Sequence, residues 1–159
     1  MKKLSPGVLK NQILPYVANA MLGVIFLAGI AVYATLPWIV NFYMSNSYAQ
    51  IELRYYNTIL SMLYCVGLPV LALLMLAFLL TLNITKGRSF VRQNALYLNL
   101  ISVCSLVAAL VFFVFMFFMY SIFPIVLFTI FVLLAILTKV FADLFKTAIK
   151  YKEENELTI

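Results

Sequence analysis

The sequence predicts an all-α integral membrane protein with four transmembrane helices. Of its 159 residues, 66% are hydrophobic and only 10% are charged, a composition far from that of soluble domains. Four apolar runs are each long enough to cross a hydrocarbon layer about 30 Å thick, which takes about 20 helical residues. None of these runs alternates polar and apolar residues as the strands of a membrane barrel do. We therefore expect residues 1–159 to form a single transmembrane domain with short loops.

The predicted spans cover residues 16–40, 59–84, 95–119 and 123–145, and residues 146–159 form a tail. Before the first span, Ser5 suits a helix N-cap and Pro6 the first helical position, which predicts a short N-terminal interfacial helix. The first span is rich in glycine and alanine, and small residues let helices approach closely. We expect this span to be central in the packing of a four-helix bundle.

Lysine and arginine predict the orientation, because ten of the 11 basic residues fall on one side of the predicted spans. The ten are Lys2, Lys3, Lys10, Lys86, Arg88, Arg92, Lys139, Lys146, Lys150 and Lys152. Only Arg54 falls in the opposite loops. Cytoplasmic segments are enriched in basic residues, so both termini and the loop between spans two and three are predicted to be cytoplasmic.

Polar and helix-breaking residues inside the spans each have two interpretations. Pro69, beside Gly67, lacks a backbone donor and predicts a kink in span two, either permanent or a hinge for signalling. Lys139 and Asp143 lie four residues apart and thus on one helical face. They either neutralise each other near the headgroups or bind a polar group of a neighbouring helix or a partner.

Two further polar side chains within the spans are expected to contact other helices. Asn19 and Asn99 lie near the predicted cytoplasmic ends of spans one and three, where interhelical hydrogen bonds are the expected role.

The sequence offers little chemistry for a reaction. It contains no histidine, no glycine-rich phosphate loop and no metal-ligand cluster, so no catalytic residue, metal or cofactor is expected and the protein is not predicted to be an enzyme. Cys65 and Cys104 lie on different spans and are expected to remain free thiols. Four spans enclose too little interior for a pore, so a channel would require a homo-oligomer.

The loop and the tail on the predicted cytoplasmic side are the candidate interaction segments. In the loop, Gly87 can adopt a positive φ to end span two, Ser89 can cap span three, and Phe90 can return to the membrane surface.

The tail, KYKEENELTI, changes from basic to acidic to apolar. Its lysines can lie against anionic lipid, while the glutamates are repelled from it. The last three residues, Leu157, Thr158 and Ile159, could then dock on a partner. The alternative is a frayed terminus. The candidate partner-binding residues of the tail are Glu153, Glu154, Glu156, Leu157, Thr158 and Ile159.

The stretch ITKGRSFVRQNALYLNLIS, with Gly87, Phe90 and Asn94, and the ending EENELTI resemble an uncharacterised family of four-span bacterial membrane proteins, domain of unknown function 2975. The resemblance covers essentially the whole chain in length, span count and topology. One departure is Glu156, where the family more often has aspartate, but a carboxylate is kept.

Members of this family are typically encoded beside a very small helix-turn-helix DNA-binding regulator, and the resemblance implies no enzymatic activity. It therefore implies a bacterial cell-membrane protein that sequesters or tunes such a regulator. The residues carried over are Gly87, Phe90, Asn94, Glu154, Glu156, Leu157, Thr158 and Ile159.

The resulting hypothesis is a regulatory protein that uses the loop, including Arg88, and the tail to bind the regulator. It lies in the lipid bilayer and is not expected to bind nucleic acid directly. The alternative is an immunity-type or small transporter-associated membrane protein without a DNA-binding partner.

Overall fold

The computed structural model describes residues 6–45, 53–89, 91–118 and 121–156. These residues form four helices, α1 (Pro6–Ser45), α2 (Leu53–Thr85), α3 (Arg92–Met116) and α4 (Phe123–Glu156), and no strand. By length and composition, all four helices can cross a membrane. The predicted all-α fold with four transmembrane helices is confirmed.

Three helices are longer than the predicted spans, and one of them, α2, begins at Leu53. Helix α1 begins at Pro6, as expected, but continues through Pro15 without a break. The predicted N-terminal interfacial helix is therefore not a separate element. Helix α4 continues past Phe145 to Glu156, so most of the predicted tail is the last part of a helix.

The helices pack as an open row rather than as a bundle. Helix α1 contacts α2, α2 also contacts α3, and α3 also contacts α4; no other pair is in contact within the described segments. The expectation of a four-helix bundle with the first span at its centre is therefore wrong, because α1 lies at an edge.

The small residues of α1 explain this difference, since they are divided between two faces. Gly23 and Gly29 face α2, where an added Cβ would lie 3.4 Å from Phe78 and 3.2 Å from Leu71, respectively. Ala31, by contrast, is exposed, as are Ala20, Ala28 and Ala34. Only part of the small-residue pattern therefore serves helix packing within this chain.

Helix α3 is the most buried of the four. One stripe along it is buried, and its members recur at spacings of three and four residues. They are Asn94, Ala95, Leu98, Ile101, Ser102, Ser105, Ala108, Ala109 and Phe112. Ser102 donates a hydrogen bond from Oγ to the carbonyl of Ala135 on α4, at 2.7 Å. Small side chains thus let α3 contact helices on two sides.

Helix α2 passes through Pro69 as one helix. The ring of Tyr33 on α1 packs directly against Gly67, and its hydroxyl donates to the carbonyl of Tyr64 at 3.4 Å. Gly67 therefore accommodates a neighbouring ring. The assignment of Gly67 and Pro69 as a hinge remains a prediction.

Candidate functional site

Polar contacts bring the segments rich in basic residues together where α1 and α3 begin and α2 and α4 end. This end of the helices is called here the basic end. Near the start of α1, Asn19 Oδ1 accepts a hydrogen bond from Thr81 on α2 at 3.0 Å. One turn further along α2, Thr85 donates to the carbonyl of Pro15 at 3.4 Å. The predicted interhelical role of Asn19 is confirmed.

The loop between α2 and α3 begins with a glycine turn. Gly87 has φ +71°, its N–H donates to the carbonyl of Ile84, and the N–H of Arg88 donates to the carbonyl of Asn83, both at 3.0 Å. This pair of bonds is the Schellman pattern that ends helices. A Cβ on Gly87 would have no heavy atom within 4 Å, so the residue's backbone conformation, not lack of space, favours glycine. The predicted positive φ is confirmed.

The other end of the loop is held by Asn94, which has no exposed area. Its Nδ2 donates to the carbonyls of Arg88 at 2.9 Å and Ser89 at 2.7 Å. Its Oδ1 accepts from Asn83 Nδ2 at 2.9 Å. A side chain with no accessible surface cannot contact a partner directly, so the assignment of Asn94 as partner-binding is corrected to a structural role.

Ser89 does not cap α3. The N-cap is Val91, without a side-chain cap hydrogen bond, because the loop is closed by Asn94 instead. The sequence showed an asparagine on each side of the loop but not that Asn83 and Asn94 contact each other. Of the loop's candidate contact residues, Gly87 and Arg88 are exposed, whereas Phe90 lies outside the described residues.

The helical extension of α4 is tied to the start of α3 by an ion pair. Arg92 Nε lies 3.1 Å from Glu153 Oε1, and Arg92 Nη2 lies 2.9 Å from Glu153 Oε2. Both side chains are largely exposed, at 81% and 47%. Hydrogen bonding to Arg92 lowers the pKa of the Glu153 carboxyl, and the same hydrogen bonds raise the pKa of Arg92. Glu153 therefore contacts the protein's own α3.

The rest of the predicted tail is only partly described. Glu154 is exposed and lies 3.7 Å from Lys150 Nζ. Glu156 is the last residue of α4, while Leu157, Thr158 and Ile159 lie outside the described residues. The partner-binding role of these residues stays a prediction.

A second polar cluster joins α3 and α4 about two to four turns from the Arg92–Glu153 pair, towards the middle of the two helices. Lys139 Nζ donates to Asn99 Oδ1 at 2.7 Å, which confirms the interhelical role of Asn99. Lys139 also lies 3.7 Å from Asp143, and Lys146 approaches the same carboxylate at 3.6 Å. The predicted Lys139–Asp143 pair is thus confirmed, and Lys139 also binds a polar group of the neighbouring helix.

Between these contacts lies an opening of about 470 Å³, called here the α3–α4 groove. It is lined by Arg92, Ala95, Leu96, Asn99, Lys146, Ile149, Lys150 and Glu153. Cationic side chains and an apolar floor therefore share one depression, which the sequence could not reveal because its two walls are separated by more than 40 residues.

Within the described segments, no group of three or more histidine, cysteine, aspartate or glutamate residues could hold a metal ion. Cys65 and Cys104 are free.

The comparisons with known proteins identify a family. No match was found among curated proteins or among solved structures. The family model described as "Protein of unknown function (DUF2975)" matches residues 30–159, which include the last part of α1 and all of α2, α3 and α4. The chain therefore belongs to the DUF2975 family.

Proposed function

We propose that this protein is a regulatory protein of the bacterial cell membrane, with its basic end in the cytosol, that binds a small helix-turn-helix DNA-binding regulator. The binding surface consists of the α2–α3 loop and the helical extension of α4. The main support for this surface is the Arg92–Glu153 ion pair, which ties the residue that follows the loop to the end of α4.

The charge distribution supports the orientation. Eight of the 11 basic residues are Lys10 in α1, Lys86 and Arg88 in the α2–α3 loop, Arg92 at the start of α3, and the four lysines of α4. Contacts place the start of α1, the loop and the end of α4 at the same end of the helices. The side of a membrane protein that is rich in lysine and arginine is normally the cytoplasmic one.

The ordered extension of α4 supports the binding role. A binding segment that is already helical loses less conformational entropy on association than a disordered one. Exposed carboxylates such as Glu154 can attract the basic DNA-binding surface of a regulator and compete there with phosphate. Glu153 forms two hydrogen bonds with Arg92, whereas Glu154 lies 3.7 Å from Lys150 in a longer ion pair, so we assign the direct electrostatic contact to Glu154 and Glu156.

Binding to a named partner tests this proposal. The chain, tagged at its N-terminus, is co-purified from detergent with a small basic helix-turn-helix protein, and release of that protein's operator DNA is measured in parallel. Replacing Glu154 and Glu156 by glutamine is expected to weaken binding most at low salt, since exposed charges are screened over about 10 Å at 0.1 M. Glu52→Gln, a carboxylate of the predicted opposite side, is the matched control.

Deletion of Glu156–Ile159 separates the roles of the terminal residues. We expect the four helices to remain inserted and equally stable, while partner binding is lost. Unchanged binding after this deletion and after the double glutamine substitution would refute the proposed surface.

The orientation has its own test. In a variant lacking the native thiols through Cys65→Ala and Cys104→Ala, we expect Ser47→Cys to react with an impermeant reagent outside intact cells. Ser89→Cys should react only after lysis. The reverse pattern would place the loop and the end of α4 outside the cell and overturn the proposed function.

A second candidate function is favoured by the unpaired face of α1. Its exposed small residues, among them Ala28 and Ala31, suit close approach by another transmembrane helix. This would fit an immunity-type or transporter-associated protein that works inside a larger membrane complex. Co-purification of a stoichiometric membrane protein, lost on Ala28→Leu, would support this alternative.

A further inference from the structure

The α3–α4 groove combines apolar and cationic side chains. Ala95 and Ile149 form a nearly buried apolar floor, with 3% and 6% of their surfaces exposed. Arg92, Lys146 and Lys150 line the same opening. The groove therefore combines a place for hydrocarbon with cations for an anionic headgroup.

The depth of the groove matches the boundary of the bilayer. From Phe123, at the start of α4, to Lys146 the helix rises about 35 Å at about 1.5 Å per residue. This exceeds the hydrocarbon thickness of about 30 Å by a few ångströms, which places Lys146 at headgroup level. Leu96, more than half exposed on α3, continues the groove in the direction of the hydrocarbon.

The cations of the groove retain hydrogen-bond donors for a ligand. The carboxylates nearest to Lys146 and Lys150 lie at 3.6 and 3.7 Å, longer than the 2.7–2.9 Å of strong charge-assisted hydrogen bonds. Arg92 uses Nε and Nη2 for Glu153, which leaves the Nη1 hydrogens outside this pair. Each lysine ammonium carries three donors, so the existing pairs do not exhaust them.

The charge of the lining selects for anionic headgroups. The groove lining contains three cationic side chains and one carboxylate, Glu153, while the carboxylates of Asp143 and Glu154, near the two lysines, are not part of the lining. A zwitterionic lipid would bring its own cation close to these cationic groups, whereas an anionic phospholipid brings no further cation. Basic pockets between transmembrane helices are a recurrent kind of site for anionic lipids.

We propose that the α3–α4 groove binds one anionic phospholipid, with its phosphate between Arg92 and the two lysines and an acyl chain that leaves the groove over Leu96. This inference does not depend on the proposed regulator or on the orientation of the protein. A free phosphate lacks the acyl chain that would cover the exposed side chain of Leu96, which favours lipid as the occupant.

The test is a titration of the full chain in zwitterionic micelles with phosphatidylglycerol or with phosphatidylcholine of the same acyl chains. Bound lipid is counted by native mass spectrometry. We expect one phosphatidylglycerol to bind. Replacing both Lys146 and Lys150 by glutamine should weaken its binding about tenfold or more, since each basic residue near an anionic lipid surface contributes about 1 kcal/mol. Lys86→Gln with Lys152→Gln is the matched control, because it removes the same charge at the same end without altering the groove lining.

Each alternative gives a distinct result. An equal loss in the control variant, or equal binding of the two lipids, would show general surface attraction and overturn the proposal. Saturation by inorganic phosphate in the absence of anionic lipid would assign the groove to a free anion. Binding of a glutamate-rich peptide without any response to lipid would assign it to a protein partner, and either outcome would also overturn the lipid site.

Discussion

Arg92 and Glu153, 61 positions apart in the chain, form a two-point ion pair that joins the first residue of α3 to the last turns of α4. Two parallel N–H···O contacts fix orientation as well as distance. Since both side chains are exposed, the pair is expected to determine where the end of α4 lies and to add little to global stability.

The protonation of Glu153 should therefore control this attachment. Because the pKa of Glu153 is lowered by Arg92, the ion pair is fully present above the ordinary carboxyl pKa of about 4.3. It is lost as the pH falls through the lowered value. A carbon-13 titration of the Glu153 carboxyl should show this low midpoint, and Arg92→Gln should raise it. Equal midpoints in the two proteins would mean that the pair does not form in solution.

Asn94 should stabilise the α2–α3 loop more than its exposed neighbour. Asn94→Ala removes hydrogen bonds to Asn83, Arg88 and Ser89 and is expected to lower the free energy of unfolding by about 1–3 kcal/mol. Gln93→Ala should change it by less than about 0.5 kcal/mol. Reversible unfolding in mixed micelles measures both, and equal values would contradict the structural role of Asn94.

Replacing an alanine by leucine on α3 and on α1 tests whether the helices pack as an open row. Ala108→Leu introduces a large side chain at a position with no exposed area and should cost about 1–3 kcal/mol of stability. Ala31→Leu, on the exposed face of α1, should leave monomer stability nearly unchanged. A comparable loss at Ala31 would show that another helix of the chain covers α1.

Gly67 should tolerate alanine less well than Gly23. An added Cβ at Gly67 would overlap the ring of Tyr33, whereas at Gly23 it would lie 3.4 Å from Phe78, an ordinary contact. We expect Gly67→Ala to destabilise by about 1–3 kcal/mol and Gly23→Ala to be neutral or stabilising, because alanine favours helix by about 1 kcal/mol.

A double variant tests whether overlap with the Tyr33 ring causes the loss of stability in Gly67→Ala. Combining Gly67→Ala with Tyr33→Ala should cost less than the sum of the single changes, since the overlap disappears. Additive losses would point to a different origin, such as a change in the bend near Pro69. Unfolding free energies in the same micelles provide the comparison.

The sequence was sufficient for the features that depend on local chemistry. Apolar runs predicted the four helices, and Gly87 predicted a turn with positive φ. Which helices are neighbours was not predictable in the same way. A side chain that faces lipid, such as Leu110 or Val103, is as apolar as one that faces protein. The small, partly polar stripe through Ser102 and Ser105 was the available signal for the central position of α3.

The interaction surface depended on contacts that sequence spacing does not encode. Glu153 was predicted to bind a partner, since the charge run of the tail does not show which donor on α3 it contacts. Its pairing with Arg92 depends on the packing of α3 against α4 and on the helix continuing past Phe145. The same packing creates the α3–α4 groove.

The neighbour-to-neighbour row has a consequence for biogenesis. Each of α2, α3 and α4 contacts the helix made immediately before it, and no described contact joins α1 to α4. A ribosome-bound chain can therefore form each helix pair as soon as the second helix enters the membrane, without waiting for a later segment. Each helix can therefore pack against its neighbour in the order of synthesis, and the Arg92–Glu153 ion pair forms once the last turns of α4 have been made.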